Sequence, residues 1–116
     1  MAKIIDPKDY KDKDWTPDPL DTFEEWQKKQ NIPIIEGFFI EDINAVELSP
    51  WDFKGGLAAF VNLEGTGGTN DGYICEIPPG KKLKPQRHMY EEMVYVTKGQ
   101  GATTVWQRDG KKHTFE

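Results

Sequence analysis

Three residues in one short segment carry side chains of types that can bind metal ions in proteins. Gln86, His88 and Glu92 supply an amide, an imidazole and a carboxylate. Imidazole nitrogen and carboxylate oxygen suit Fe(II), Mn(II), Ni(II), Cu(II) or Zn(II) when they are deprotonated and converge on one point. An amide oxygen is neutral and is a weaker donor. The segment is therefore a candidate for metal-dependent chemistry.

Strand geometry predicts which of these side chains face the same way. Residues two apart in a strand share a face. Gln86 and His88 share one face before a corner at residues 89–91, and Glu92 begins the apolar alternation that follows the corner. Glu92, rather than Glu91, is therefore predicted to point inward with the histidine.

The segment GKKLKPQRHMYEEMVYVTKG, from Gly80 to Gly99, resembles the first signature motif of the cupin superfamily. That motif contains a glycine, five residues, His-x-His, three or four residues, a glutamate, six residues and a glycine. Both glycines, His88 and Glu92 fall in register with it. Gln86 occupies the place of the first histidine.

The resemblance implies a ligand set, and the position of Tyr90 beside those ligands predicts a catalytic residue. In cupins, two histidines and the glutamate of this motif bind a metal together with a histidine of a second motif. By resemblance, His88 and Glu92 would bind a divalent transition metal (Fe, Mn, Ni, Cu or Zn), with Gln86 as a weak third donor. Tyr90, at the corner between the two strong donors, would contribute a catalytic hydroxyl to the pocket.

Each candidate also has a simpler interpretation. In a cupin that has lost its metal, His88 would be hydrogen-bonded to Glu92. Glu92 would otherwise form an ion pair with Arg87 or Lys98 at the mouth of a barrel. His113 is interpreted as a solvated strand residue.

The rest of the chain predicts a β-rich fold. A short capped helix is predicted near residues 21–30, and Asp109-Gly110 predicts a hairpin with a two-residue turn. One helix with many short strands indicates an all-β sandwich or barrel. The resemblance narrows this to a cupin-type double-stranded β-helix, or jelly roll. Segments rich in β-branched and aromatic residues predict strands at residues 34–40, 45–48, 57–63, 73–77, 93–97, 102–107 and 112–115.

The predicted organisation is an arm followed by part of a barrel. Residues 1–32 form an N-terminal arm with the short helix, and residues 1–20 are expected to be extended or disordered. Residues 33–116 form the N-terminal part of a cupin β-barrel. Because no second cupin motif follows Gly110, we expect the barrel to be incomplete at the C-terminus.

An open barrel would expose a strand edge and half a core. We therefore expect a second chain, a C-terminal fragment or a swapped neighbour to complete it, and a homo-oligomer rather than a stable monomer.

Composition limits the class of protein. The 116-residue chain has 20 acidic and 15 basic residues, a net charge of −5, which disfavours nucleic-acid and anionic-membrane surfaces. No apolar run approaches the roughly 20 residues of a membrane span, and no secretion signal is recognisable.

A single cysteine, Cys75, in an apolar stretch predicts a buried structural thiol and a cytoplasmic protein.

Three functions are compatible with these observations. The first is a small metal-dependent enzyme that uses Lewis-acid or oxygenase-like chemistry on a small organic acid or oxygenated molecule. The second is a non-catalytic, small-ligand-binding or sensory module, which Gln86 favours because a lost ligand is typical of lost metal chemistry. The third is an oligomerising interaction protein. Fold resemblance does not separate these functions.

Overall fold

The computed structural model describes residues 22–66 and 70–116, and the predicted arm at residues 1–20 lies outside this part. The chain divides into two compact units at Pro85. We call the described residues up to Pro85 the sheet unit, and Gln86–Glu116 the hairpin unit. No helix among the described residues has the length and apolar character needed to cross a membrane.

The described residues are β-rich with one short α-helix, and no closed barrel is formed within them. The sheet unit contains α1 (Thr22–Lys29), β1 (Ile34–Gly37), a 3-10 turn (Ile43–Ala45), β2 (Ser49–Trp51), β3 (Gly56–Leu63) and β4 (Gly72–Glu76). The hairpin unit contains β5 (Thr103–Trp106) and β6 (Lys112–Phe115). A small β fold with one short helix is confirmed, and the jelly roll stays a prediction.

Helix α1 lies where capping and charge patterns predict it. Its first turn carries two glutamates and its last turn two lysines, which is the favourable arrangement for the helix dipole. Asn31 follows it with a positive φ of 55°, a left-handed conformation that asparagine tolerates at the end of a helix.

Strand β3 is the centre of the four-stranded sheet. It pairs antiparallel with β4 along one edge. Along the other edge it pairs antiparallel with β2 at its beginning and parallel with β1 at its end. Ala58, Ala59, Phe60 and Val61 are consecutively buried, because both faces and both edges of this strand are covered.

Two predicted strands differ from the structure. The strand predicted at residues 45–48 lies later, at Ser49–Trp51. The chain before it forms the 3-10 turn, because the Asp42 carboxylate accepts a hydrogen bond of 2.9 Å from the backbone N–H of Asn44. Residues 93–97 form no strand within the described part of the chain, since no neighbouring strand there pairs with them.

The predicted β5–β6 hairpin is confirmed, with a longer connection than expected. Trp106 pairs with Lys112, so five residues rather than two separate the strands. The backbone N–H of Gly110 donates to the carbonyl of Gln107 at 3.0 Å. Gly110 has a φ of +82°, which a glycine adopts without strain.

Aromatic residues around Trp51 form the core of the sheet unit. Trp51 is 2% exposed, and its ring lies 5.2 Å from that of Phe60, 5.5 Å from Tyr73 and 6.2 Å from Trp26. These separations suit edge-to-face aromatic contacts. The indole Nε1–H donates to Gln30 Oε1 at 2.9 Å, which satisfies its only polar atom.

A pair of side-chain amides joins the helix to the sheet. Gln27, 1% exposed, donates to Asn62 Oδ1 at 2.8 Å and accepts from Asn62 Nδ2 at 2.9 Å. The two reciprocal hydrogen bonds allow a buried glutamine on the inner face of α1 without leaving a polar group unsatisfied.

The buried cation Lys54 lies between aromatic rings beside Cys75. Its ammonium donates to the Tyr73 hydroxyl and lies 4.3 Å from the centre of that ring. Cys75 follows two residues later in β4, on the same face as Tyr73. Burial raises the pKa of the Cys75 thiol, and the positive charge of Lys54 offsets part of the rise. A raised pKa favours the unreactive thiol, as expected for a structural cysteine.

Replacing Gly56 with alanine should destabilise the sheet unit. The added Cβ would lie 2.7 Å from the Glu76 carbonyl oxygen and 3.2 Å from Cys75 Sγ. Backbone cannot move aside easily, so we expect a loss of about 1–3 kcal/mol in the free energy of unfolding. Urea unfolding followed by tryptophan fluorescence measures it. The matched control is Gly72→Ala, whose Cβ would have only ordinary contacts at 3.8 Å; equal stability of the two variants would contradict the prediction.

Alkylation of Cys75 should require a higher pH in the native chain than in the urea-unfolded chain. The thiolate is the reactive form, and because the pKa of Cys75 is raised, the thiolate forms only at a higher pH. The measurement is the rate of reaction with iodoacetamide as a function of pH. The midpoint of the profile, rather than the absolute rate, reports the pKa, because burial also slows access. A native midpoint at or below that of the unfolded chain would show that the thiol is activated.

Candidate functional site

A bend at Met89 and Tyr90 brings two predicted metal donors together in the hairpin unit. After the bend the chain returns, and Glu92 Oε2 lies 2.9 Å from His88 Nε2. Glu92 therefore contacts His88 directly, and the inward direction predicted for both side chains stays a prediction.

The other nitrogen of the His88 ring contacts the backbone. Nδ1 lies 2.8 Å from the carbonyl oxygen of Tyr90. A carbonyl oxygen only accepts hydrogen bonds, so Nδ1 carries a proton and donates it.

The Tyr90 side chain covers one face of the imidazole. The ring centres are 3.9 Å apart and the planes differ by 4°. The His88 and Glu92 side chains are only 24% and 27% exposed, although both residues are exposed when their backbones are included. Tyr90 itself is 66% exposed and Met89 fully exposed. The coverage of His88 is therefore local, and Tyr90 supplies part of it.

The distance between the two donors is compatible with a shared metal ion. Donors about 2.1 Å from a metal are about 3.0 Å apart at the right angle of an octahedral site, and about 3.4 Å apart at the tetrahedral angle typical of Zn(II). The observed 2.9 Å between His88 Nε2 and Glu92 Oε2 is close to the octahedral value. It is also the length of an ordinary hydrogen bond, so the simpler interpretation of His88 fits the same geometry.

The remaining predicted residues do not extend the pair into a larger donor cluster. No group of three or more His, Cys, Asp or Glu side chains suited to a metal occurs within residues 22–66 and 70–116. Gln86 lies in the exposed segment two residues before His88. His113 is an exposed residue of β6, opposite Val105.

An open cleft in the sheet unit was not predicted from the sequence. Its volume is about 300 Å³, and carboxylates dominate its walls. Such a lining repels anions, so the cleft does not suit the small organic acid expected as a substrate. The lining residues are Phe23, Glu24, Glu36, Asn62, Leu63, Glu64 and Asp71.

The contact that sequence reasoning missed is the carbonyl of Tyr90. Every residue has a carbonyl, so residue type gives no signal for it. The only hint is the short spacing between His88 and Glu92, which requires the chain to turn between them.

Comparison of the chain with protein-family models, curated proteins and solved structures found no match. The resemblance to cupins therefore rests on the spacing of the motif residues between Gly80 and Gly99 alone.

Proposed function

We propose that the chain belongs to a cupin-type metal-binding protein in which His88 and Glu92 bind a divalent transition metal. The observation that carries this proposal is the contact between His88 Nε2 and Glu92 Oε2 while Nδ1 is held by a backbone carbonyl. A ligand histidine in proteins commonly donates its second ring N–H in this way, which fixes the tautomer and the ring orientation.

The proposed activity is that of an enzyme acting on a small organic acid or an oxygenated molecule. The metal would supply Lewis-acid polarisation or oxygen activation at an open coordination position. His88 contributes a neutral nitrogen whose direction is fixed by Tyr90, and Glu92 contributes one negative charge. Gln86 contributes a neutral amide oxygen, which leaves room for a substrate oxygen as a competing ligand.

The proposal includes a polypeptide that covers the hairpin unit and adds donors. Met93 is 94% exposed, Tyr95 86% and Trp106 48%. Exposed apolar side chains at neighbouring positions favour contact with further protein surface. A second copy of the chain or a separate fragment would bring the third donor that cupin sites take from their second motif.

Gln86 favours a second candidate function, a ligand-binding module without turnover. An amide in place of an imidazole weakens metal binding, and the barrel would then hold a small molecule by shape and hydrogen bonds. In that case the His88–Glu92 contact is a structural hydrogen bond.

Removing either strong donor should abolish stoichiometric metal binding. His88→Ala removes the only imidazole of the pair, and Glu92→Gln replaces a carboxylate by a neutral amide. The remaining donors are too few and too weak to retain the ion. Metal content after metal-replete expression is measured by elemental analysis.

The control for these two variants is His113→Ala, which removes an exposed histidine from β6 and should leave metal content unchanged. Full metal occupancy in His88→Ala, or no metal in the unmodified protein, would contradict the metal site. The ligand-binding module would then be the better explanation.

Replacing Gln86 with histidine should tighten metal binding. It restores the imidazole that the motif has at this position, and imidazole is a stronger donor than an amide to every metal under consideration. Metal that binds only the native state raises the melting temperature, so the increase on metal addition should be larger in this variant than in the unmodified chain. Thermal unfolding with added metal and with a chelator measures the difference. An equal or smaller increase would show that Gln86 does not lie at the metal.

A further inference from the structure

We infer that Tyr90 is a positioning residue for His88, and that it acts through its backbone carbonyl and the face of its ring. This inference rests on the proposed role of His88 as a metal ligand. It also assigns Tyr90 a different role from the catalytic hydroxyl that its position at the corner predicted.

The carbonyl of Tyr90 selects one orientation of the imidazole. The terminal torsion of histidine is broad and nearly two-fold, so an exposed ring can turn over, which puts Cδ2 in the place of Nδ1 and Cε1 in the place of Nε2. A hydrogen bond of 2.8 Å from Nδ1–H to the Tyr90 oxygen favours one of these orientations. In that orientation Nε2 lies 2.9 Å from Glu92 Oε2, so a ring nitrogen rather than a ring carbon faces the carboxylate.

The ring of Tyr90 hinders rotation away from that orientation. The two rings are 3.9 Å apart and parallel within 4°, which is van der Waals contact over a whole face. Turning the imidazole about its Cβ–Cγ bond would drive its edge into the phenol ring. Stacking and hydrogen bonding therefore favour the same ring position, and both come from one residue.

The hydroxyl takes no part in either contact. The hydrogen bond uses the backbone and the stack uses the ring face, so phenylalanine at position 90 preserves both. Alanine preserves the carbonyl and removes the ring. The pair of variants Tyr90→Phe and Tyr90→Ala therefore separates a positioning ring from a functional hydroxyl.

The test measures the His88 ring and metal affinity separately. All variants carry His113→Ala, because the chain has two histidines and His88 then gives the only imidazole signals. Long-range proton–nitrogen NMR spectra of the metal-free protein at one fixed pH report the tautomer and the ring-current shift of His88. Competition with a chromogenic chelator gives the affinity for Zn(II). Phe115→Ala is the matched control, since Phe115 is another exposed aromatic residue of the same unit.

We expect Tyr90→Phe and Phe115→Ala to keep both the ring signals and the Zn(II) affinity. Tyr90→Ala should lose the upfield ring-current shift of the His88 carbon-bound protons, and its ring signals should move toward those of a ring that turns freely, because only the backbone hydrogen bond then holds the ring. Its Zn(II) affinity should fall on the order of 10-fold, the effect typical of residues that orient a metal ligand.

Two results would overturn the inference. Unchanged His88 ring signals in Tyr90→Ala would show that Tyr90 does not orient the ring. A loss of Zn(II) affinity in Tyr90→Phe as large as that in Tyr90→Ala would show that the hydroxyl matters instead. If the unmodified chain binds no Zn(II), the proposed metal site fails, but the ring signals of the metal-free variants still decide the role of Tyr90.

Discussion

The burial of Trp51 is the interaction on which the sheet unit depends. One indole contacts Trp26 of the helix, Phe60 of the central strand and Tyr73 of its neighbour, and it is almost completely removed from water. Its N–H is satisfied by Gln30, just after the end of α1. A large apolar ring with one directional polar atom fixes both the distance and the orientation of a helix on a sheet.

The hairpin unit lacks a buried aromatic centre of this kind among its described residues, so its candidate site depends on contacts between residues close in sequence. Its apolar side chains are exposed, and His88 is positioned by residues within four places of it in sequence. Exposed hydrogen bonds and ion pairs contribute about 1 kcal/mol or less each. The ring orientation therefore depends on several weak contacts acting together, and functional segments often occur where local stability is low.

The parts of the fold that were predictable are those set by local sequence. Helix α1, the long strand β3 and the β5–β6 hairpin have periodicity and turn residues that act within a few positions. The parallel pairing of β1 with β3 was not predictable, because pairing depends on partners distant in sequence. Residues 93–97 have strand composition without strand structure for the same reason, since β propensity needs a neighbour. At the site, His88 and Glu92 meet across a bend and not along a strand, so strand parity does not explain their contact. The backbone carbonyl of Tyr90 has no signature in residue type.

The charge of the proposed metal site indicates which class of substrate it would bind. In the proposed metal site, a neutral His88 and an anionic Glu92 would leave one positive charge of a divalent ion uncompensated. Gln86 and histidine are both neutral ligands, so exchanging them changes donor strength and not the charge of the site. A site with residual positive charge would attract anions locally even in a chain of net charge −5. A small carboxylate would therefore suit the proposed metal site better than the acidic cleft of the sheet unit, and it would displace the weak amide of Gln86 most easily.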